Sequence, residues 1–600
     1  MPRTRRGVAE LIRQPFRNQK DVISVEGLGK WRDGYRPRAL TSSRSVVRGI
    51  DLRSVPLTPP SSEIFSDRST HRRPGIRTYQ NAIAIKDNFV TETLDTTCAS
   101  AILQGFRGNE PSTVARILQK EGMIISHKTN MDEFGMGSHS THSFYGAVQN
   151  GQGALAQSAG GSSGGSAMLV AEGKVKYAIG SDTGGSVRLP AAYTGTFGFK
   201  PSYGRISRSG LVPYANSLDT VGIIAATVDD AKQVFKLLDQ HDPKDPTSLN
   251  AQSRTRIHDV CNLRIQKFWH NTGRANDSVV RPIVHGFTEQ EWVEEGNRGQ
   301  RKPPSLPLVR RTRRIGYPVE YNIAELHPLV HATWIRTLSY LESLGHEVVP
   351  VSLPNTPLAL AAYYVLAPAE ASSNLAKYDG VRYGSVTDQE YDQSLESPLY
   401  AQHRGEGFGR EATRRILLGT FMLSSTAMDN YFLQAQRVRR LVQQDFNNTF
   451  RMSHPLLSGS SFNEMGVDFL LTPTAPTPPP LLKNIKTMTP LDAYMNDVFT
   501  VPASLAGLPA ISIPTVDPLL PIQHTSPQHN IGMQLIGQYG DDSALLNFAR
   551  RWFDYKFDFE AEGPQRTKRM NVYHVHGPSL KRKLRTVELL ARRMMSGDQG

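Results

Sequence analysis

Cysteine is scarce. The chain of 600 residues has two, Cys98 and Cys261. They form no CxxC pair, so neither a metal site of the zinc-cluster kind nor a disulfide framework is supported. Two thiols in a chain this long also favour a reducing compartment. Long apolar runs are missing as well. Leu358 to Ala367 is among the longest, well short of the ~20 residues a membrane helix needs. No repeat recurs at a solenoid period. No Gly-Lys-Ser/Thr follows the glycine-rich segments, so a Walker A phosphate loop is absent. Collagen-like, coiled-coil and membrane-spanning classes are thereby excluded. What remains is an ordinary globular composition, 38% hydrophobic and 21% charged.

Acidic residues are outnumbered, 55 against 69 Lys and Arg, giving a formal net charge of +14. Such a balance invites a nucleic-acid or acidic-surface reading. The excess is local, however. Residues 1–50 carry +8, residues 264–314 carry +6 and residues 566–593 carry +8, which leaves the rest of the chain at −8. The first 20 residues are Arg-rich, with Leu11, Ile12 and Phe16 spaced for an amphipathic turn. They read either as a mitochondrial presequence or as a disordered basic tail, with Glu10 and Asp21 weighing against the former. Residues 56–75 are rich in Pro, Ser and Arg and read as a linker.

Beyond the linker, short apolar runs alternate with helical patterns, which predicts an α/β protein. NAIAIKDNF (81–89) reads as a buried strand delivering Lys86 at its C-terminal end. Helical spacing covers 112–124, 227–239 (with Thr227 as N-cap), 324–345 and 410–447. RIGYPVEYN (314–322), DFLLTP (468–473), PAISIPT (509–515) and IGMQLIG (531–537) are further strand candidates. Residues 264–314 lack periodicity and read as a surface insertion or flexible loop.

The densest chemical signal is AGGSSGGSAMLVAEGKVKYAIGSDTGGSVRLPAA (159–192). Two Gly/Ser loops flank apolar runs, which a flexible linker would not contain. Glycines let the backbone approach a ligand closely, and serines between them can act as nucleophile or relay. GSSGG (161–165) satisfies the G-x-S-x-G elbow with Ser163 at its centre, but residues 151–159 look like loop and that elbow needs a preceding strand. GQGALA (151–156) touches the dinucleotide fingerprint, again with no strand before it.

Residues 160–220 resemble the amidase signature family through GGSSGGSA, GSDTGGSVRLPAAYTGTFGFKPSYGRIS and LDTVG, with Lys86 of AIAIKDNF completing the pattern. The resemblance implies one large α/β domain, a mixed β-sheet covered by helices on both faces. It implies a Ser–cis-Ser–Lys triad: Ser186 as nucleophile, Ser162 as bridge and Lys86 as base. It also implies a cis peptide at Gly161–Ser162, and an oxyanion hole from the backbone N–H groups of Thr183, Gly184, Gly185 and Ser186. Asp182 and Arg188 read as a loop-holding ion pair. Independently of the family, a lysine can serve as base only if burial lowers its pKa from ~10.4 by several units. Ile83 and Ile85 suit that burial.

MDEFGMGS (131–138), LLDQHDPKDPTSL (237–249), NLAKYDGVRYG (374–384), GEGFGREATRRILLGTFMLSS (405–425) and PLDAYMNDVFTVPASLAGLPAISIP (490–514) narrow the resemblance. It is to the glutamine-hydrolysing A subunits of tRNA-dependent amidotransferases. That group implies Arg415 for the substrate α-carboxylate and Asp497 for its α-ammonium. It implies a B-type kinase/transamidase partner holding ATP and Mg, a small C- or F-type subunit, and Glu-tRNA(Gln) reached through the complex. It implies no cofactor in this chain, and a place in the mitochondrial matrix. The expected layout is a basic extension and linker (1–75), an amidase domain (76–565, with 264–314 inserted) and a basic tail (566–600). The alternatives are a stand-alone amidase acting on a small amide, and a basic RNA-binding scaffold with an inactive amidase domain. The intact Lys86, Ser162 and Ser186 argue against the second.

Overall fold

In the computed structural model, residues 63–66, 81–271, 312–384, 401–515 and 530–561 are described. The basic segments 1–50 and 566–593, and 272–311 of the insertion, lie outside them. Eleven strands form one sheet: β1 (Glu63–Ser66), β2 (Ala82–Lys86), β3 (Ile124–Thr129), β6 (Tyr177–Asp182), β7 (Phe197–Lys200), β8 (Thr220–Ala225), β9 (Arg314–Pro318), β10 (Glu347–Val351), β11 (Phe469–Pro473), β12 (Ala510–Thr515) and β13 (Ile531–Gly537). A separate two-stranded ladder joins β4 (Gln149–Asn150) to β5 (Gln157–Ser158).

The order across the sheet is β1-β3-β2-β6-β8-β7-β12-β13-β11-β9-β10. β3, β2 and β6 run parallel at one side, and β11, β9 and β10 at the other. The strands between them pair antiparallel. β2, β6, β8, β11 and β13 are buried at every residue. Near-continuous apolar strands of this kind require cover on both faces. The mixed sheet of the expected fold is therefore observed.

Local sequence chemistry sets the element ends. Ser112 and Thr227 cap the helices Thr113–Lys120 and Val228–Leu238, accepting from Ala115 N–H and Asp230 N–H. Leu358 to Ala367 lies within the helix Thr356–Asn374, and among the described residues no helix is long and apolar enough to cross a membrane.

Three expectations need correction. Glu63–Ser66, inside the predicted linker, pairs with β3 as an edge strand. Residues 264–271, read as loop, end the helix Ala251–Asn271. The helical pattern over 410–447 divides into Arg410–Met422 and Leu433–Thr449, with a π turn at Met428–Phe432 between them.

Candidate active site

Parallel pairing of β2 with β6 sets Ile85 opposite Ile179, so both carboxyl ends lie on the same edge of the sheet, with β6 running two residues past Lys86 to Asp182. Ligand crevices in open α/β sheets form at such carboxyl ends. Lys86 leaves β2 there, fully buried. Its Nζ donates to Ser162 Oγ at 2.7 Å and to Ser181 Oγ at 3.0 Å. Asn88 Nδ2 donates to the same Ser181 hydroxyl at 2.9 Å. Burial lowers the Lys86 pKa from 10.5 to about 7, against the opposing pull of Asp132, Asp182 and Asp219.

Ser162 follows a cis Gly161–Ser162 peptide. Its carbonyl accepts from Asp132 N–H at 3.2 Å. Ser163 answers the elbow alternative. It is buried, its hydroxyl donates to Ser181 O at 3.3 Å, and only the two-residue β5 precedes it. Its backbone N–H donates to Ser186 O at 3.1 Å, which ties the two Gly/Ser loops together.

Ser186 lies in the loop 183–187 between β6 and the helix Arg188–Thr194. No hydrogen bond links its hydroxyl to Ser162 among the described residues. The loop is held by hydrogen bonds to Asp219 and Thr500. Thr183 Oγ1 donates to Asp219 Oδ1 at 2.7 Å. Asp219 also accepts from Tyr214 and Ala215 N–H, and burial raises its pKa to about 6. Gly184 O accepts from Thr500 Oγ1 at 2.6 Å. Gly185 adopts φ +142°, a conformation that favours glycine. At Gly184 a Cβ would come within 2.6 Å of the Tyr363 ring. Among the described residues, the N–H groups of Gly184, Gly185 and Ser186 reach no protein acceptor.

Asp182 and Arg188 form a fully buried pair, with Arg188 Nε and Nη2 at 2.9 and 2.8 Å from the two carboxylate oxygens. Arg188 also donates to Thr500 O, Gln534 Oε1 and Ser504 Oγ. The loop-holding role expected for the pair matches this geometry.

A second cluster comes from later in the chain. Arg415 is 3% exposed, whereas the Arg414 side chain is 43% exposed, so helical phase turns only the second arginine inward. Arg415 Nε donates to Glu411 Oε1 at 2.8 Å and Nη1 to Tyr214 Oη at 2.9 Å. Tyr364 and Tyr494, stacked 4.0 Å apart, lie beside its guanidinium. Asp497 Oδ2 accepts from Ser138 Oγ and Tyr364 Oη, each at 2.9 Å. Burial raises the Asp497 pKa to about 6, opposed by those two hydrogen bonds and by Arg415. Lys86, Ser162 and Ser186 thus precede residue 190, and this cluster follows residue 360 except for Ser138 and Tyr214. Among the described residues, no His, Cys, Asp and Glu side chains group to hold a metal.

The sequence profile of the Amidase family matches residues 82–266 and 298–546. The chain belongs to the amidase family. The break in the amidase match falls inside the basic stretch 264–314. The mitochondrial A subunit of glutamyl-tRNA(Gln) amidotransferase from Emericella nidulans is 49% identical over 483 residues, covering 77% of this chain and 87% of the relative. The protein of the same name from Coccidioides posadasii is 50% identical over 485 residues, covering 78% and 87%. Among solved structures, the A subunit of the Thermotoga maritima glutamyl-tRNA(Gln) amidotransferase is 32% identical. The match covers 79% of this chain and 82% of that one, with a TM-score of 0.55.

Several site residues of this amidase chain escaped the sequence reading: Ser181, Asn88, Ser138, Tyr214, Tyr364, Glu411 and Tyr494. Ser181 and Asn88 had a signal, since each lies within two residues of a position already singled out. The tyrosines had none, because their partners are far away in sequence.

Proposed function

We propose that this chain is the glutamine-hydrolysing A subunit of a mitochondrial tRNA-dependent amidotransferase, supplying ammonia for conversion of Glu-tRNA(Gln) to Gln-tRNA(Gln). The observation that carries the proposal is Lys86 Nζ at 2.7 Å from Ser162 Oγ, with the amine buried and its pKa at about 7. At neutral pH such an amine is a usable base.

Glutamine docks with its α-ammonium at Asp497 and its α-carboxylate on the fork of Arg415 Nη1 and Nη2. A planar guanidinium suits both oxygens of a carboxylate. Neutral Lys86 takes the proton of Ser162, and Ser162 takes that of Ser186. Ser186 Oγ bonds to the carboxamide carbon. The developing oxyanion meets backbone N–H groups among Thr183, Gly184, Gly185 and Ser186. Losing one such donor typically lowers kcat by about 100–1000-fold. The proton returns through Ser162 to the leaving nitrogen, the C–N bond breaks and ammonia departs. Water then attacks the acyl-enzyme by the same relay, releasing glutamate.

No cofactor enters these steps. ATP and Mg act at the B-type kinase/transamidase subunit, where ammonia amidates activated glutamate on the tRNA. A small C- or F-type subunit completes the assembly in the matrix. Residues 76–565 form the amidase body. The basic segments 1–50, 264–314 and 566–593 serve targeting, partner docking or tRNA proximity.

The test is the complex co-expressed with its partner subunits and given glutamine, ATP and Glu-tRNA(Gln). Glutamine-dependent Gln-tRNA(Gln) is expected, and absence of ammonia release from glutamine overturns the proposal. Ser186→Ala abolishes hydrolysis while ammonium-fed amidation by the assembled complex persists.

A further inference from the structure

We infer that Thr500 is the positioning residue that aims the oxyanion-binding N–H of the nucleophile loop. The inference rests on the glutaminase reading above.

In a trans peptide the C=O and N–H point to opposite sides of the chain. The peptide between Gly184 and Gly185 is such a unit. Thr500 Oγ1 donates to its carbonyl at 2.6 Å. The Gly185 N–H is thereby turned away from Thr500. Nothing else among the described residues accepts that N–H, and it belongs to the residue immediately before the proposed nucleophile, Ser186.

Thr500 is itself immobilised. It is fully buried. Its hydroxyl also lies 3.2 Å from Asp497 O, its N–H donates to that carbonyl at 3.1 Å, and its own carbonyl accepts from Arg188 Nη1 at 2.9 Å. A Cβ on Gly185 would collide with the Thr500 side chain, so residue 185 can be nothing larger than glycine here. Without the Thr500 donor, the 184–185 peptide loses the contact that fixes its orientation. The same residue joins the backbone of the ammonium-binding Asp497 to the loop where charge develops. Preorganised donors act because they need no reorientation during the reaction.

Thr500→Val removes the donor and keeps the shape. Thr500→Ser keeps the donor. In the assembled complex, Thr500→Val is expected to lower kcat for glutamine hydrolysis by about 30-fold or more, with KM within about twofold, because the interaction acts at the transition state. Thr500→Ser is expected to restore kcat to within about fivefold of the parent. Ammonium-fed amidation, which bypasses hydrolysis, stays at the parent level and reports assembly. If valine impairs assembly, Thr500→Ala is read by the same criteria. An unchanged kcat, or a raised KM with kcat intact, overturns the inference, the latter by moving Thr500 to substrate binding. A serine variant as slow as valine also overturns it. The underlying reading fails separately, if Ser186→Ala still hydrolyses glutamine.

Discussion

The Tyr364 hydroxyl donates to Asp497 Oδ2 at 2.9 Å, while its ring centre lies 5.3 Å from the Arg415 guanidinium. One side chain thus touches both charges proposed to hold an amino acid. Tyr364→Phe keeps the ring and deletes the donor. A hydrogen bond to a charged group contributes about 1.5 kcal/mol, so KM for glutamine is expected to rise about tenfold with kcat nearly unchanged. Steady-state glutaminase kinetics decide it, and an unaltered KM removes Tyr364 from substrate binding.

The pH profile follows from two groups with opposite charge types. Lys86 must be neutral to accept a proton, and its pKa lies at about 7. Asp497 must be ionised to hold an ammonium, and its pKa lies at about 6. The expected kcat therefore climbs as pH rises through about 7 and then levels. KM climbs as pH falls through about 6. A kcat that declines between pH 6 and 8 contradicts the assignment of Lys86.

Removing Lys86 should strengthen the fold as it kills the enzyme. The unfolded chain keeps this proton up to its ordinary value of 10.5, and the folded chain releases it at about 7. Between those values the unfolded state binds more protons, so this group's contribution to stability improves with rising pH. At pH 7 the buried amine is a burden. Lys86→Met discards it, with an offset from the lost contacts to Ser162 and Ser181. The expected net gain is on the order of 2 kcal/mol. Thermal unfolding measures it, and a lower Tm for the variant refutes the prediction.

Arg188 behaves in the opposite way. Arg188→Met strands Asp182 in a fully buried site with its ion-pair partner gone. Breaking a buried pair from one side typically costs about 3–5 kcal/mol. Denaturant titration should show a loss of that size together with loss of activity. A shift below about 1 kcal/mol means that the pair is not holding the loop.

Some of this was readable from the chain alone. The apolar run AIAIK specified both a buried strand and the lysine at its end, since local pattern and final environment agree there. The Gly/Ser loops announced themselves because close backbone approach admits few other residues. Arg415 stood out from Arg414 by the apolar run after it, and helical phase turns it inward. Other features depended on distant partners. The edge strand Glu63–Ser66 exists because β3 offers it hydrogen bonds, and nothing in its own composition outweighs the surrounding Pro, Ser and Arg. Helical periodicity ran through 410–447 without marking the π turn at Met428–Phe432. Tyr364 meets Asp497 across 133 residues, a pairing that only the folded chain creates.

The proposed reacting groups come from before residue 190, and most of the proposed charged clamp comes from after residue 360. The proposed nucleophile, relay and base are therefore encoded in one stretch of chain, and the proposed substrate clamp largely in another. On the proposed assignment, substitutions among the later helices are expected to exchange one amide for another without disturbing the proton path. On the proposed assignment, damage to the earlier stretch is expected to end turnover for every substrate alike. The two stretches meet where Arg188 and Thr500 join, so altered specificity is tolerated only while that seam stays closed.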